Sequence, residues 1–250
     1  MASRFIILAS QRTGSSYLVS LLNSHPKILC IGETLKEVET QPNMYKVRHS
    51  YYTYLSKNLR HRVLYKLSKK RSLWSYLDNF FYQDNDLSTG FKVMGTHAIR
   101  YEGLIAYLGN HKVKCIKLTR KNLLKKLLSN QIAKATDQWN LHGDKAYKPC
   151  PVSLSIDTLI GDLQKIEEEY KQLEDLSNEL DVYSTCYEDI VGNNKEAIIG
   201  EILSFLGVEL SVPLFSEMRK MNVEPMNKLI VNYEEVKACL AETSYASMLE

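Results

Sequence analysis

Five short apolar runs punctuate the chain, at Phe5–Ala9, Ile28–Ile31, Gly90–Met94, Lys112–Leu118 and Val182–Cys186, and each predicts a strand. Between them, apolar residues recur at three- and four-residue steps over Ser15–Ser24, Asn122–Thr136, Ser155–Leu180 and Lys195–Leu206, which predicts helices. Strands that alternate with helices in this way predict an α/β fold, a central parallel sheet flanked by helices, with a ligand at the C-terminal strand edge. The longest helix carries Leu159, Leu163, Ile166, Tyr170, Leu173, Leu176 and Leu180 on one face and mostly acids on the other. It is expected to lie on the sheet or on a neighbouring helix. A dimerising coiled coil is the weaker reading, because the pattern lasts only about three heptads.

The first strand runs into Gln11-Arg12-Thr13-Gly14-Ser15-Ser16 and then directly into an amphipathic helix. A strand, a glycine-containing turn and a helix N-terminus aim several backbone N–H groups and a positive dipole end at one point. Arg12 adds a fixed charge, while Thr13, Ser15 and Ser16 add hydroxyls. The expectation is a cradle for a phosphate or sulfate group, against the plainer reading of a serine-capped corner. The nucleoside-triphosphate loop needs a second glycine and a lysine, and a dinucleotide fingerprint needs three glycines; neither pattern is present.

With 250 residues, 44% of them hydrophobic, one domain over residues 1–250 is expected. A net charge of +3 gives no reason to expect nucleic acid. Cys30, Cys115, Cys150, Cys186 and Cys239 are scattered and odd in number. That argues against a disulfide framework or zinc site and fits a reducing compartment. No charged-then-apolar leader precedes the first strand, and no run approaches the length of a membrane span, so a cytoplasmic protein is expected. One segment departs from the alternation: Met44–Tyr82, rich in Tyr, Leu and cations, reads as a helical insertion over the sheet. Its acid-free run, with Lys57, Arg60, Arg62, Lys66, Lys69, Lys70 and Arg71, is either a solvated helix face or a wall that attracts an anionic substrate, an acidic partner or a membrane surface.

A second anion-binding corner is expected where the fourth strand ends in Arg120 and a helix follows, with Asn122, Lys125, Lys126 and Ser129 at helical spacing. Two such corners at two strand ends suggest a ligand with phosphate-like groups at both ends.

At this point the chain resembles the sulfotransferases that use 3′-phosphoadenosine 5′-phosphosulfate (PAPS), most of all their carbohydrate, tyrosylprotein and bacterial glycolipid branches. The loop Gln11–Ser16 followed by His25-Pro26 and Gly32-Glu33 looks like their 5′-phosphosulfate loop and the region after it. Arg120 with Ser129 looks like their 3′-phosphate pair, spaced one residue wider than in many members. Tyr187-Glu188-Asp189-Ile190 resembles a further strand end, Phe205-Leu206-Gly207-Val208 a helix end, and Lys228 through Thr243 the closing segment of bacterial members.

The resemblance implies a P-loop-kinase-like sulfotransferase fold and PAPS as donor, with PAP as product and no metal required. It also implies a hydroxyl acceptor on a glycolipid, oligosaccharide or other small molecule. Gln11, Arg12, Thr13, Gly14, Ser15, Ser16, Arg120 and Ser129 would bind the donor, Arg12 also stabilising the leaving charge. Tyr187 and Trp139 are candidate neighbours of its adenosine, and Lys220, after Arg219, is a candidate contact to its 3′-phosphate. Glu33 is the expected base and His97 its rival. Lys92 either lines the site or snorkels from a strand end. Two other readings stay open: a kinase with an unusual phosphate loop, and a binding protein that holds the nucleotide without turnover.

Overall fold

A computed structural model of the chain describes residues 3–35, 50–81, 87–141, 147 and 150–249. Five strands, β1 (Arg4–Ala9), β2 (Ile28–Ile31), β3 (Ser88–Met94), β4 (Lys114–Thr119) and β5 (Asp181–Cys186), form one all-parallel sheet in the order β2-β3-β1-β4-β5. The chain is a single α/β domain, as the alternation of patterns predicts. Central β1 shows why its sequence is continuously apolar: every residue from Phe5 to Ala9 is fully buried. Side chains alternate across the sheet, so Ile6 and Leu8 enter one apolar layer while Phe5, Ile7 and Ala9 enter the other.

The layer around Ile6 and Leu8 is closed by α4 (Lys69–Phe81), α6 (Leu104–Asn110) and the C-terminal part of α8 (Ile156–Ser177). The opposite layer holds α1 (Ser15–Asn23) and α10 (Lys195–Phe205). Beyond the strand ends, α7 (Leu123–Thr136), the first half of α8 and α12 (Tyr233–Leu240) share a third apolar cluster. The apolar stripe of α8 is therefore buried within the chain. Among the described residues, no helix is long and apolar enough to cross a membrane.

Predicted boundaries shift where turns intervene. Lys112, expected in a strand, has φ 50° in the turn that closes α6, so β4 begins two residues later. Helix α8 stops at Ser177, and Leu180 closes a turn by donating its N–H to the Ser177 carbonyl. Two short helices, α5 (Gly95–Arg100) and α6, escaped the periodicity because each spans under two turns. The expected insertion is present as α2 (Tyr51–Lys57), α3 (Leu59–Leu67) and α4; its residues 44–49 and Tyr82 lie outside the described residues. These helices form the connection between β2 and β3, which are parallel neighbours with Ile28 opposite Ser88.

Candidate active site

From β1 the chain crosses to one side of the sheet, and from β4 to the other, so the crevice between their C-terminal ends is the switch point at which parallel α/β sheets place ligands. The loop after β1 and the turn after β4 meet there. They line a cleft of about 1310 Å³.

In the first loop, Arg12 (φ 62°) and Gly14 (φ 79°) both adopt the left-handed conformation, and α1 starts immediately afterwards. A left-handed arginine stores strain of about 1–2 kcal/mol, which the surrounding contacts must hold in place. Thr13 supplies one of them: fully buried, its hydroxyl donates to the Ser10 carbonyl (2.9 Å). Its side chain therefore braces the loop from behind, and the hydroxyls of Ser15 and Ser16 are the ones on the cleft wall. Gln11 lies on the wall too. Lys126, buried on α7, binds the loop from beneath through Ser10 Oγ (2.7 Å) and is neutralised by Glu169 (2.7 Å).

Gly14 is glycine for two reasons, its positive φ and the ring of Tyr187, which lies 2.3 Å from where a Cβ would sit. Gly14→Ala is therefore expected to destabilise the fold by about 2–4 kcal/mol, from left-handed strain together with overpacking. Thermal denaturation checks this. Repeating the substitution in a Tyr187→Ala background should remove the steric share and leave about 1–2 kcal/mol of strain.

The second corner is built around Arg120. Tyr170 on α8 accepts from the Arg120 N–H (3.0 Å) and donates to its carbonyl (3.1 Å), so the strand end is pinned by one phenol. Glu188 accepts from the N–H groups of Lys121 (2.8 Å) and Asn122 (3.3 Å), which fixes the turn into α7. The Arg120 guanidinium lies over the Tyr187 ring at 4.9 Å and donates to the Arg12 carbonyl (3.4 Å). Its Nε is buried without a hydrogen bond, 3.8 Å from Glu188. Burial holds the pKa of both Arg12 and Arg120 below the usual arginine value, and the charge of Arg120 adds to the effect on Arg12. Two desolvated guanidinium groups of like charge in one crevice favour an anion between them.

Ser129 faces the cleft, where it meets Arg12 as well as the Arg120 corner. Arg12 Nε donates to Ser129 Oγ (3.0 Å), and the rest of that guanidinium reaches the Trp139 carbonyl and Met221 Sδ. The expected shared face of α7 also divides. Asn122 becomes the N-cap, accepting from the Lys125 N–H (2.8 Å), and Lys126 turns away to Ser10 and Glu169. Asn122, Lys125 and Ser129 remain on the cleft wall.

At the far end of the cleft, Lys92 on β3 pairs with Glu33 (2.9 Å) and donates to Ser16 Oγ (3.2 Å). Both charged side chains are largely buried, 9% and 18% exposed. One ammonium thus ties Glu33, two residues past β2, to the first turn of α1. The sequence singles out Glu33 and Lys92 separately; their pairing joins two neighbouring strands that the helical insertion separates in sequence, and it has no local signal. His97 falls on α5 and is not among the residues that line the cleft. Tyr187, Trp139, Arg219 and the exposed Lys220 do line it, together with the rest of the segment Met218–Asn227, whose individual residues past Lys220 the sequence did not single out.

No family model matches the chain. Along 98% of its length it is 26% identical to a curated protein named nodulation protein H from Rhizobium tropici, covering 92% of that protein. It is 24% identical to the protein of the same name from Rhizobium meliloti, with 98% and 94% covered. Among solved structures it superimposes on a sulfotransferase from Alicyclobacillus acidocaldarius with a TM-score of 0.51 at 15% identity, over 100% of this chain and 95% of that one. The fold is therefore shared with that sulfotransferase, in agreement with the resemblance carried by the motifs.

Proposed function

We propose that this chain is a PAPS-dependent sulfotransferase that transfers a sulfuryl group to a hydroxyl acceptor. The observation that carries the proposal is the crevice between β1 and β4, where two half-buried guanidinium groups and a left-handed loop at a helix N-terminus converge. A donor with a phosphate at each end fits that arrangement, and the buried Arg120 Nε that lacks a hydrogen bond is a donor atom suited to one of them.

PAPS, when bound, supplies the activated sulfuryl group. Ser15, Ser16, the loop N–H groups and Arg12 would hold its 5′ end, and Arg120 with Ser129 its 3′-phosphate. Tyr187, already stacked between Gly14 and Arg120, offers an aromatic face beside the adenosine. Arg12 and the loop donors stabilise charge that builds on a departing phosphate. Glu33 takes the proton from the acceptor hydroxyl, and Lys92 holds that carboxylate against Ser16. Glu33, on the cleft wall, is the base in preference to His97, which is not. Carbohydrate, glycolipid and small-metabolite hydroxyls are the acceptor class, and the location is cytoplasmic.

The test is thermal melting with 3′,5′-ADP (PAP), with ATP and Mg²⁺, and with 5′-AMP. A rise selective for PAP is expected, of the size mass action gives for a bound ligand, about 2.7 kcal/mol at a hundredfold excess over Kd. A rise with ATP and Mg²⁺ and none with PAP overturns the proposal in favour of a kinase. A PAP response without sulfate transfer from PAPS to a broad acceptor panel favours a binding protein.

A further inference from the structure

Helix α3 buries none of its residues, although its sequence is not that of a polar helix. His61, Leu64, Tyr65 and Ser68 are its half-buried side, with His61 stacked on Tyr54 at 3.7 Å and Tyr65 set edge-on to Tyr51 at 6.4 Å. With about 3.6 residues per turn, Leu59, Val63 and Leu67 fall on the opposite side as one stripe. They are 67%, 48% and 79% exposed. Lys66 lies within this stripe, and Arg60 and Arg62 flank it on either side. No aspartate or glutamate occurs between Tyr51 and Leu77, so the whole of α2, α3 and the first turns of α4 present positive charge alone.

We propose that this outer face of α3 binds the surface of an anionic phospholipid bilayer, with the helix lying flat. Leu59, Val63 and Leu67 enter the boundary between headgroups and acyl chains, while Arg60, Arg62 and Lys66 meet lipid phosphates. An acidic protein would satisfy the charge, but a single convex helix offers no groove to grip one, and it would leave the apolar stripe without a counterpart. A bilayer answers both features at once. The attachment also suits the geometry of the cleft: Tyr51 at the start of α2 donates its N–H to the Thr34 carbonyl (2.8 Å), beside Glu33. The contact is thus rooted at the acceptor end, although the proposal stands independently of the reaction assigned to the cleft.

The experiment is co-sedimentation of the full chain with vesicles of phosphatidylcholine alone and with about a third phosphatidylglycerol, at low and high salt. Binding is expected to the anionic vesicles only, to fall at least about tenfold in high salt, and to be lost in Arg60→Glu/Arg62→Glu/Lys66→Glu. Leu59→Ser/Val63→Ser/Leu67→Ser should weaken it with every charge retained. Each variant is checked for an unchanged melting temperature, and for the same PAP response as the parent, so a folding defect is separable from lost contact. Equal binding to neutral vesicles, or triple variants that bind like the parent, overturns the proposal. A parent chain that ignores both vesicles also overturns it, and leaves the face to an acidic protein. Failure of the PAP response in the parent would instead count against the sulfotransferase reading, whatever the vesicles show.

Discussion

Arg120→Ala is expected to cut the stabilisation of this protein by PAP sharply while leaving the melting temperature of the free protein nearly unchanged. The asymmetry follows from the environment of the side chain. Its guanidinium is 16% exposed, desolvated, and close to a second cation at Arg12, so its charge is poorly compensated without a ligand. Truncation removes a cation–π contact with Tyr187 worth about 0.5–1 kcal/mol, a long hydrogen bond to the Arg12 carbonyl and a 3.8 Å pairing with Glu188, but also relieves the cost of holding a desolvated cation, so the net change is small. A hydrogen bond to a charged group contributes about 1.5–3 kcal/mol, so loss of one phosphate contact weakens PAP roughly 10- to 150-fold. Thermal melting with graded PAP measures it. A shift equal to that of the parent would take the 3′-phosphate away from Arg120.

The second large effect is expected in turnover. Glu33→Gln should lower kcat by about 10²- to 10⁴-fold, the usual range for a lost general base. PAP affinity should stay close to that of the parent, because the substituted amide keeps the shape of the side chain and the arginine corner is untouched. Lys92→Met should behave differently. Lys92 touches both Glu33 and Ser16, so both turnover and donor affinity should fall. His97→Ala should retain turnover. Single-turnover rates with PAPS separate these outcomes, and a large loss in His97→Ala with activity kept in Glu33→Gln would reverse the assignment of the base.

The fold was legible because its signals are local and repeated. A central strand covered on both faces reads as a near-continuous apolar run, as Phe5–Ala9 does, and each covering helix carries one stripe. The strand-turn-helix corner after β1 was legible for a similar reason: a polar, glycine-containing turn between a strand and a helix constrains the backbone whatever lies around it. What could not be read depends on reach across the structure. An arginine has enough length to choose among partners, and the reach of Arg12 across the crevice to Ser129 has no local signal. Tyr170 counted as one more apolar position on α8, whereas its hydroxyl pins the Arg120 backbone. Thr13 read as a donor to the cradle because sequence shows that a hydroxyl exists but not which way it turns. The wall from Met218 to Asn227 has no period to detect.

Two parallel neighbouring strands cannot be joined by a tight turn; they need a crossover of a dozen or more residues. The helices from α2 to α4 occupy that obligatory connection between β2 and β3. Their length and composition are free to drift, because β2 and β3 are held in register by the sheet and not by what links them. The arginine corner, by contrast, is drawn from β1, β4 and the residues after β5, none of which the connection supplies. Descendants of this chain can therefore exchange one crossover for another while the crevice between β1 and β4 keeps its walls.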